Sequence, residues 1–126
     1  MTYLKSYKEL IVWQKSIDLV KEIFILTEKF PKSEIYGLTS QMRRAAVAIP
    51  SNIAEGYGRN SPKEYMQFYS IAYGSALELE TQIIISEELK FVTEKQILKS
   101  KLLLEEVSKM LNSMIKKMKE LNNPRR

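Results

Sequence analysis

Met42-Arg43-Arg44-Ala45-Ala46-Val47-Ala48-Ile49-Pro50-Ser51-Asn52-Ile53-Ala54-Glu55-Gly56 reads as an amphipathic helix built around an interior proline. Met42, Ala46, Ile49 and Ile53 fall three and four residues apart, the spacing of one helix face. A proline inside a helix removes one backbone hydrogen bond and crowds the preceding turn, at a cost of about 3 kcal/mol. Surrounding packing has to offset that cost. The expectation is a helix kinked at Pro50, with Ser51 or Asn52 taking up the carbonyl that the proline frees. Ala45, Ala46 and Ala48 allow a neighbouring helix to come close.

Helical patterning covers most of the remaining chain. A first helix is predicted from about Tyr7 to Glu28, with Leu10, Trp13, Ile17, Val20, Phe24 and Thr27 on its buried face and Pro31 beyond its end. The second starts near Ser33 as N-cap and runs to about Glu55, where Gly56 and Gly58 break it. The third opens at Ser61-Pro62-Lys63-Glu64: serine at N-cap, proline at N1 and glutamate at N3. Its face is Tyr65, Phe68, Tyr69, Ala72, Ala76, Leu79 and Ile83, and it ends near Leu89. Thr93-Glu94-Lys95-Gln96 is a second capping box and opens the fourth. There Ile97, Leu104, Leu111 and Met118 repeat every seven residues, with Val107, Met114 and Leu121 as a companion row. Asn122-Asn123-Pro124 stops this helix and leaves Arg125-Arg126 as a basic tail. No segment alternates with period two. The fold class expected is all-α: one domain, residues 1–126, an antiparallel up-down-up-down four-helix bundle.

Composition narrows the chemistry. The 126 residues contain no cysteine and no histidine, and a single aspartate, Asp18. Disulfides, thiol nucleophiles, imidazole acid–base chemistry and Cys/His zinc sites are excluded. No metal or other cofactor is expected. No apolar run approaches the roughly 20 residues that span a bilayer, and the N-terminus lacks the order of a signal peptide, so a cytoplasmic protein without a membrane partner is expected. The net charge of +5 is unevenly placed. Residues 1–89 carry 10 Lys/Arg against 11 Asp/Glu, whereas residues 90–126 carry 10 against 4. A clustered basic surface attracts polyanions, nucleic acid first. Lys95, Lys99, Lys109 and Lys116 share one face of the fourth helix and, with Arg125 and Arg126, are the candidates for phosphate contact. The same lysines also suit the plain solvent side of a heptad helix.

Three further groups admit two readings each. Arg43 and Arg44 point about 100° apart on a helix. One of them is expected to pair with a carboxylate of another helix, Glu78 or Glu80, or with Glu55 of a neighbouring subunit; phosphate contact is the functional alternative. Ser70, Gly74 and Thr81 form a narrow small-residue strip, with Ser75 nearby, for close approach of a helix from the bundle or from a second subunit. Tyr65, Tyr69 and Tyr73, with Tyr57 and Arg59 upstream, suit either a core stripe or a platform for stacking bases.

Four ordered pieces carry a family resemblance: Leu10-Ile11-Val12-Trp13-Gln14-Lys15; Tyr36-Gly37-Leu38-Thr39-Ser40-Gln41-Met42-Arg43-Arg44-Ala45-Ala46; Ile49-Pro50-Ser51-Asn52-Ile53-Ala54-Glu55-Gly56; and Gly74-Ser75-Ala76-Leu77-Glu78-Leu79-Glu80-Thr81-Gln82. Together, over roughly residues 8–118, the chain resembles the four-helix-bundle proteins encoded in intervening sequences of bacterial 23S ribosomal RNA genes, sometimes labelled S23. The resemblance implies a homopentameric ring. It also implies kinship with accessory proteins of diversity-generating retroelements, basic barrels that bind nucleic acid and a reverse transcriptase. Arg43, Arg44, Pro50, Asn52, Glu55, Gly56, Gly74 and Glu78 are the motif positions it marks, as structural or oligomer-forming residues.

The function expected is that of a non-enzymatic homo-oligomer, a pentamer, that binds RNA or DNA through its basic surface. The alternative is a scaffold for a partner protein, with lysines serving solubility alone. An enzyme ranks last, because the chain offers no nucleophile–base pair and no glycine-rich phosphate loop.

Overall fold

The structure is a computed structural model and describes residues 5–123. Four helices account for it: α1 (Ile11–Thr27), α2 (Leu38–Tyr57), α3 (Pro62–Glu88) and α4 (Glu94–Leu121), with short 3-10 turns at Tyr7–Glu9 and Lys32–Glu34. There is no strand among the described residues. Each helix packs on its neighbours in sequence, and α1 closes the ring against α4. Side-chain pairs fix the directions. Lys15 and Glu22 of α1 reach Glu106 and Lys99 of α4 at 2.9 and 3.2 Å, so a step of seven along one helix is a step of seven back along the other. Gly56 of α2 lies against Tyr69 of α3, while Ala45 and Ala48 share a cleft with Ser75 and Glu78.

The helix starts follow their caps. Ser61 Oγ accepts the Glu64 amide at 3.3 Å, and the Glu64 carboxylate accepts from the Asn60 amide and the Ser61 hydroxyl. Thr93 and Gln96 close a reciprocal capping box with bonds of 3.2 and 2.9 Å. Between α3 and α4, Lys90 adopts φ 63°, and the amides of Lys90 and Phe91 return to the carbonyls of Glu87 and Ser86. That pattern is a Schellman stop with lysine where glycine is the cheaper residue.

Several boundaries and faces differ from the expectation. Ser33 sits in the 3-10 turn, and α2 starts only at Leu38, whose amide donates to the Glu34 carboxylate at 3.3 Å. Gly56 does not break α2, which continues to Tyr57 and is capped at Gly58. It is buried because α3 passes so closely: a Cβ there would stand 2.9 Å from the Tyr69 ring. α2 does run through Pro50, as expected. Ser51 and Asn52 do not take the carbonyl opposite the proline; they donate to Val47 and Ala48, each at 2.8 Å.

The buried row of α1 is Val12, Ser16, Leu19, Ile23, Leu26 and Thr27, not the row led by Leu10, Trp13 and Ile17. α1 wedges between α2 and α4, so the strip between its two apolar rows goes inward. Leu10, Trp13 and Val20 pack half-buried at the margin, and Phe24 is 39% exposed. Ser16 stays tolerable inside because its hydroxyl donates to the Trp13 carbonyl at 2.7 Å. On α4, Ile97, Leu104, Val107 and Leu111 are buried, Met114 and Met118 are half-buried, and Leu121 is 61% exposed. The heptad seam therefore opens toward the C-terminus of the helix.

Candidate nucleic-acid interface

Lys95, Lys99, Lys109 and Lys116 are all exposed on the side of α4 away from the core. They do not form one dense cluster. Twenty-one positions separate the first from the last, roughly 32 Å along the helix. Lys99 is paired with Glu22, and Lys109 with Glu105 at 3.2 Å. Glu106, which interrupts the face, is engaged by Lys15. These pairs are exposed and weak, so the lysines remain open to exchange partners. Arg125 and Arg126 lie outside the described residues.

The charge instead gathers at the end where α1 begins and α4 finishes. Lys5, Lys8, Arg59, Lys63, Lys109, Lys116, Lys117 and Lys119 are exposed there against Glu9, Glu55 and Glu120, with Glu64 half-buried. The opposite end, around the 3-10 turn Lys32–Glu34 and the α3–α4 connection, interleaves both signs: Lys29, Lys32, Lys90 and Lys95 stand among Glu28, Glu34, Glu87, Glu88 and Glu94.

Arg43 proves to be a structural clamp. Its Nε donates to Thr27 Oγ1 at 2.8 Å, its terminal nitrogen reaches Glu28 at 3.1 Å, and the guanidinium lies 4.7 Å from the centre of the Phe24 ring. Within the chain, Glu78 and Glu80 are thus not its partners. The reach is backward to the end of α1, since Thr27 and Arg43 face each other across the α1–α2 hairpin. Arg44 is exposed and donates to Ser40 at 3.4 Å. It shares a shallow cleft with Glu78, whose carboxylate accepts from Gln82 at 3.3 Å. Glu55 pairs with Arg59 at 3.7 Å along its own chain.

The tyrosine stripe faces inward. Tyr69 is buried, with Tyr65 stacked on it at 6.3 Å. Burial, then the neighbouring Tyr65 and Tyr57, push the Tyr69 phenol up from 10.0 to about 12. Arg59 covers Phe68, 4.5 Å from the ring centre. Tyr65 and Tyr73 pack half-buried against the core, as a core stripe would. Gly74, by contrast, has nothing within 4 Å of a Cβ built upon it. The bundle therefore leaves the strip of Ser70, Gly74 and Thr81 bare, with Ile71, Leu77 and Ile84 beside it between 45% and 52% exposed.

Among the described residues, no group of three or more Asp or Glu side chains converges as a metal site would require, and no helix is long and apolar enough to cross a membrane. An open, mostly apolar groove of about 640 Å³ lies where Leu10, Ile11 and Val12 meet Met110 and Met114, with Glu9 and Lys109 at its edge. Residue periodicity gave no sign of it, because it arises from where α1 starts relative to α4.

Comparison with known proteins adds two findings. Residues 8–113 match the family described as 23S rRNA-intervening sequence protein. A crystal structure of a protein of unknown function, from the S23 ribosomal protein family of Bacteroides thetaiotaomicron VPI-5482, superposes with a TM-score of 0.76. It is 22% identical, and the match covers 84% of this chain and 99% of that one, a likeness of fold. No curated protein matches the sequence.

Proposed function

The chain belongs to the 23S rRNA-intervening sequence protein family, and from that premise we propose that it is a non-enzymatic, cytoplasmic homo-oligomer that binds RNA or DNA through phosphate contacts at its basic end. The observation that carries this reading is the run of exposed Lys109, Lys116, Lys117 and Lys119 along the C-terminal half of α4. Lysines exposed on a rigid helix neutralise phosphates without reading bases, because each presents a point charge and no fixed fork of donors. Binding of this kind tolerates sequence and weakens steeply with salt.

The assembly is a closed ring, a pentamer. The bare strip around Gly74 supports it: small residues flanked by exposed Ile71, Leu77 and Ile84 suit close approach of a second subunit better than contact with water. In solution the mass should be five times the 14.7 kDa of the chain. A monomer at micromolar concentration would refute the assembly.

The decisive experiment is fluorescence anisotropy of nuclease-treated protein with structured RNA, single-stranded RNA and duplex DNA across a salt series. Affinity should fall linearly with salt on logarithmic axes. Replacing Lys109, Lys116, Lys117 and Lys119 by glutamine should flatten the duplex slope by about 3 to 4 per subunit engaged. Absence of binding to all three probes at low salt would overturn the reading, as would an unchanged slope in that variant.

A further inference from the structure

A polar cleft interrupts the outer side of the contact between α2 and α3. It measures about 220 Å³ and is lined by Gln41, Arg44, Ala45 and Ala48 of α2 and by Ser75 and Glu78 of α3. A water molecule takes up roughly 30 Å³ of the liquid, so the cleft has room for an organic molecule of about six or seven heavy atoms. Its floor is the methyl groups of Ala45 and Ala48, and its walls carry one guanidinium and one carboxylate, both exposed. Each of these charged groups is bonded within its own helix. Arg44 donates to Ser40 at 3.4 Å, and Glu78 accepts from Gln82 at 3.3 Å.

Gln82 adds a second observation. It is 5% exposed. A carboxylate only accepts, so the amide nitrogen is the end turned to Glu78, and the carbonyl is the end turned away. That carbonyl oxygen is buried with no hydrogen-bond partner among the described residues, an arrangement that calls for a donor. The antiparallel seam sets Gly56 against Tyr69 and places Ala45 and Ala48 with Ser75 and Glu78. The step from Glu78 on to Gln82 therefore runs toward Gln41. The α3 wall offers acceptors, and the α2 wall offers the donors of Arg44 and Gln41.

We propose that this cleft binds a small zwitterion, an α-amino acid whose side chain is no larger than a methyl or hydroxymethyl group. Its carboxylate meets the planar fork of Arg44. Its ammonium has three donors, which match the Glu78 carboxylate, the Gln82 carbonyl and the Ser75 hydroxyl. A simple anion such as phosphate would face Glu78, and a simple cation would face Arg44. Only a molecule carrying both charges uses both walls, which separates this site from the lysines of α4. The close floor of Ala45 and Ala48 leaves no pocket for a longer side chain.

The test is calorimetric titration of the full-length protein with L-alanine. Acetate and ethylammonium serve as its two separated halves, and L-leucine as the oversized analogue. L-Alanine should bind saturably with a Kd of about 1 mM or below. Each half, and L-leucine, should bind about tenfold more weakly or worse. Arg44→Gln and Glu78→Gln, both at exposed positions, should each weaken L-alanine by about tenfold. Exchanging the charges, Arg44→Glu with Glu78→Arg, should recover most of that loss, because a zwitterion can enter end for end and the Gln82 amide can turn over to match. A merely structural role for either residue would give no such recovery. No saturation by about 10 mM would overturn the proposal. So would equal binding of alanine and either half, unchanged affinity in both single variants, or an exchanged variant as weak as the single ones.

Discussion

The α2–α3 seam and the α1–α4 seam are built on opposite terms. Along α2–α3 the contact is made by small residues: Ala45, Ala46 and Gly56 on one helix, Ala72 and Ala76 on the other, all buried. No ion pair joins those two helices among the described residues. Along α1–α4, two exposed ion pairs bracket the contact and a groove lies open at its end. Close packing leaves no slack to absorb an added atom, whereas exposed charge pairs hold a register at little energetic depth. The bundle is therefore rigid on one side and adaptable on the other, and the adaptable side carries the lysines.

The sharpest way to break this contrast is Gly56→Val. The added carbons meet Tyr69 and Phe68 at 2.9 to 3.0 Å, and neither neighbour can move without opening the core. A loss of about 3 kcal/mol is expected, read as an earlier midpoint in urea unfolding. A neutral outcome would mean that α2–α3 has slack after all.

The second prediction concerns pH. Tyr69 is held neutral in the folded protein, with its phenol raised to about 12 from 10.0. Its contribution is complete below pH 10 and is lost as pH rises through 12, a fall of about 2 to 3 kcal/mol at the upper limit. Comparing wild type with Tyr69→Phe isolates it from lysine titration; the variant should lack this part of the fall. Parallel curves would show that Tyr69 ionises freely and that the seam is looser than its burial implies.

Smaller in size is the effect of Gly74→Ala. Open space around that position lets helix propensity act alone, so the isolated subunit should gain about 0.5 to 1 kcal/mol in denaturant melts. The same substitution should weaken the ring if a second subunit approaches there. Smallest of all, a double-mutant cycle on Lys15 and Glu106 should give a coupling of about 0.2 to 1 kcal/mol that shrinks in high salt. A salt-independent coupling of several kcal/mol would erase the distinction between the two seams.

Much of this architecture was legible in the sequence, for local reasons. Ser61, Pro62 and Glu64, and Thr93 with Gln96, announce helix starts because a cap involves only neighbours in the chain. The face of α2 was legible because small and large apolar residues there keep one period without interruption. α1 misled because Ser16 lies within the true row, and a serine whose hydroxyl is satisfied by the preceding turn carries no outward sign of burial. The Arg43 clamp on Thr27 and Glu28 escaped for a different reason: the carboxylates considered were on other segments, and only the fold brings residues 15 and 16 positions apart into bonding distance. Of the candidate interface, the lysines were readable one by one. Their concentration at one end, and the groove between them, depend on where helices stop.

An even number of antiparallel helices returns a chain to the side from which it set out. Residues 5 and 123 therefore emerge at the same pole of the bundle, the basic one. A tether joining them should be short, so a circular permutant opened at the Lys90 turn should keep the four-helix arrangement. Fusion partners intended to report on the basic end should accordingly be inserted in the Lys29–Ile35 connection, at the far pole.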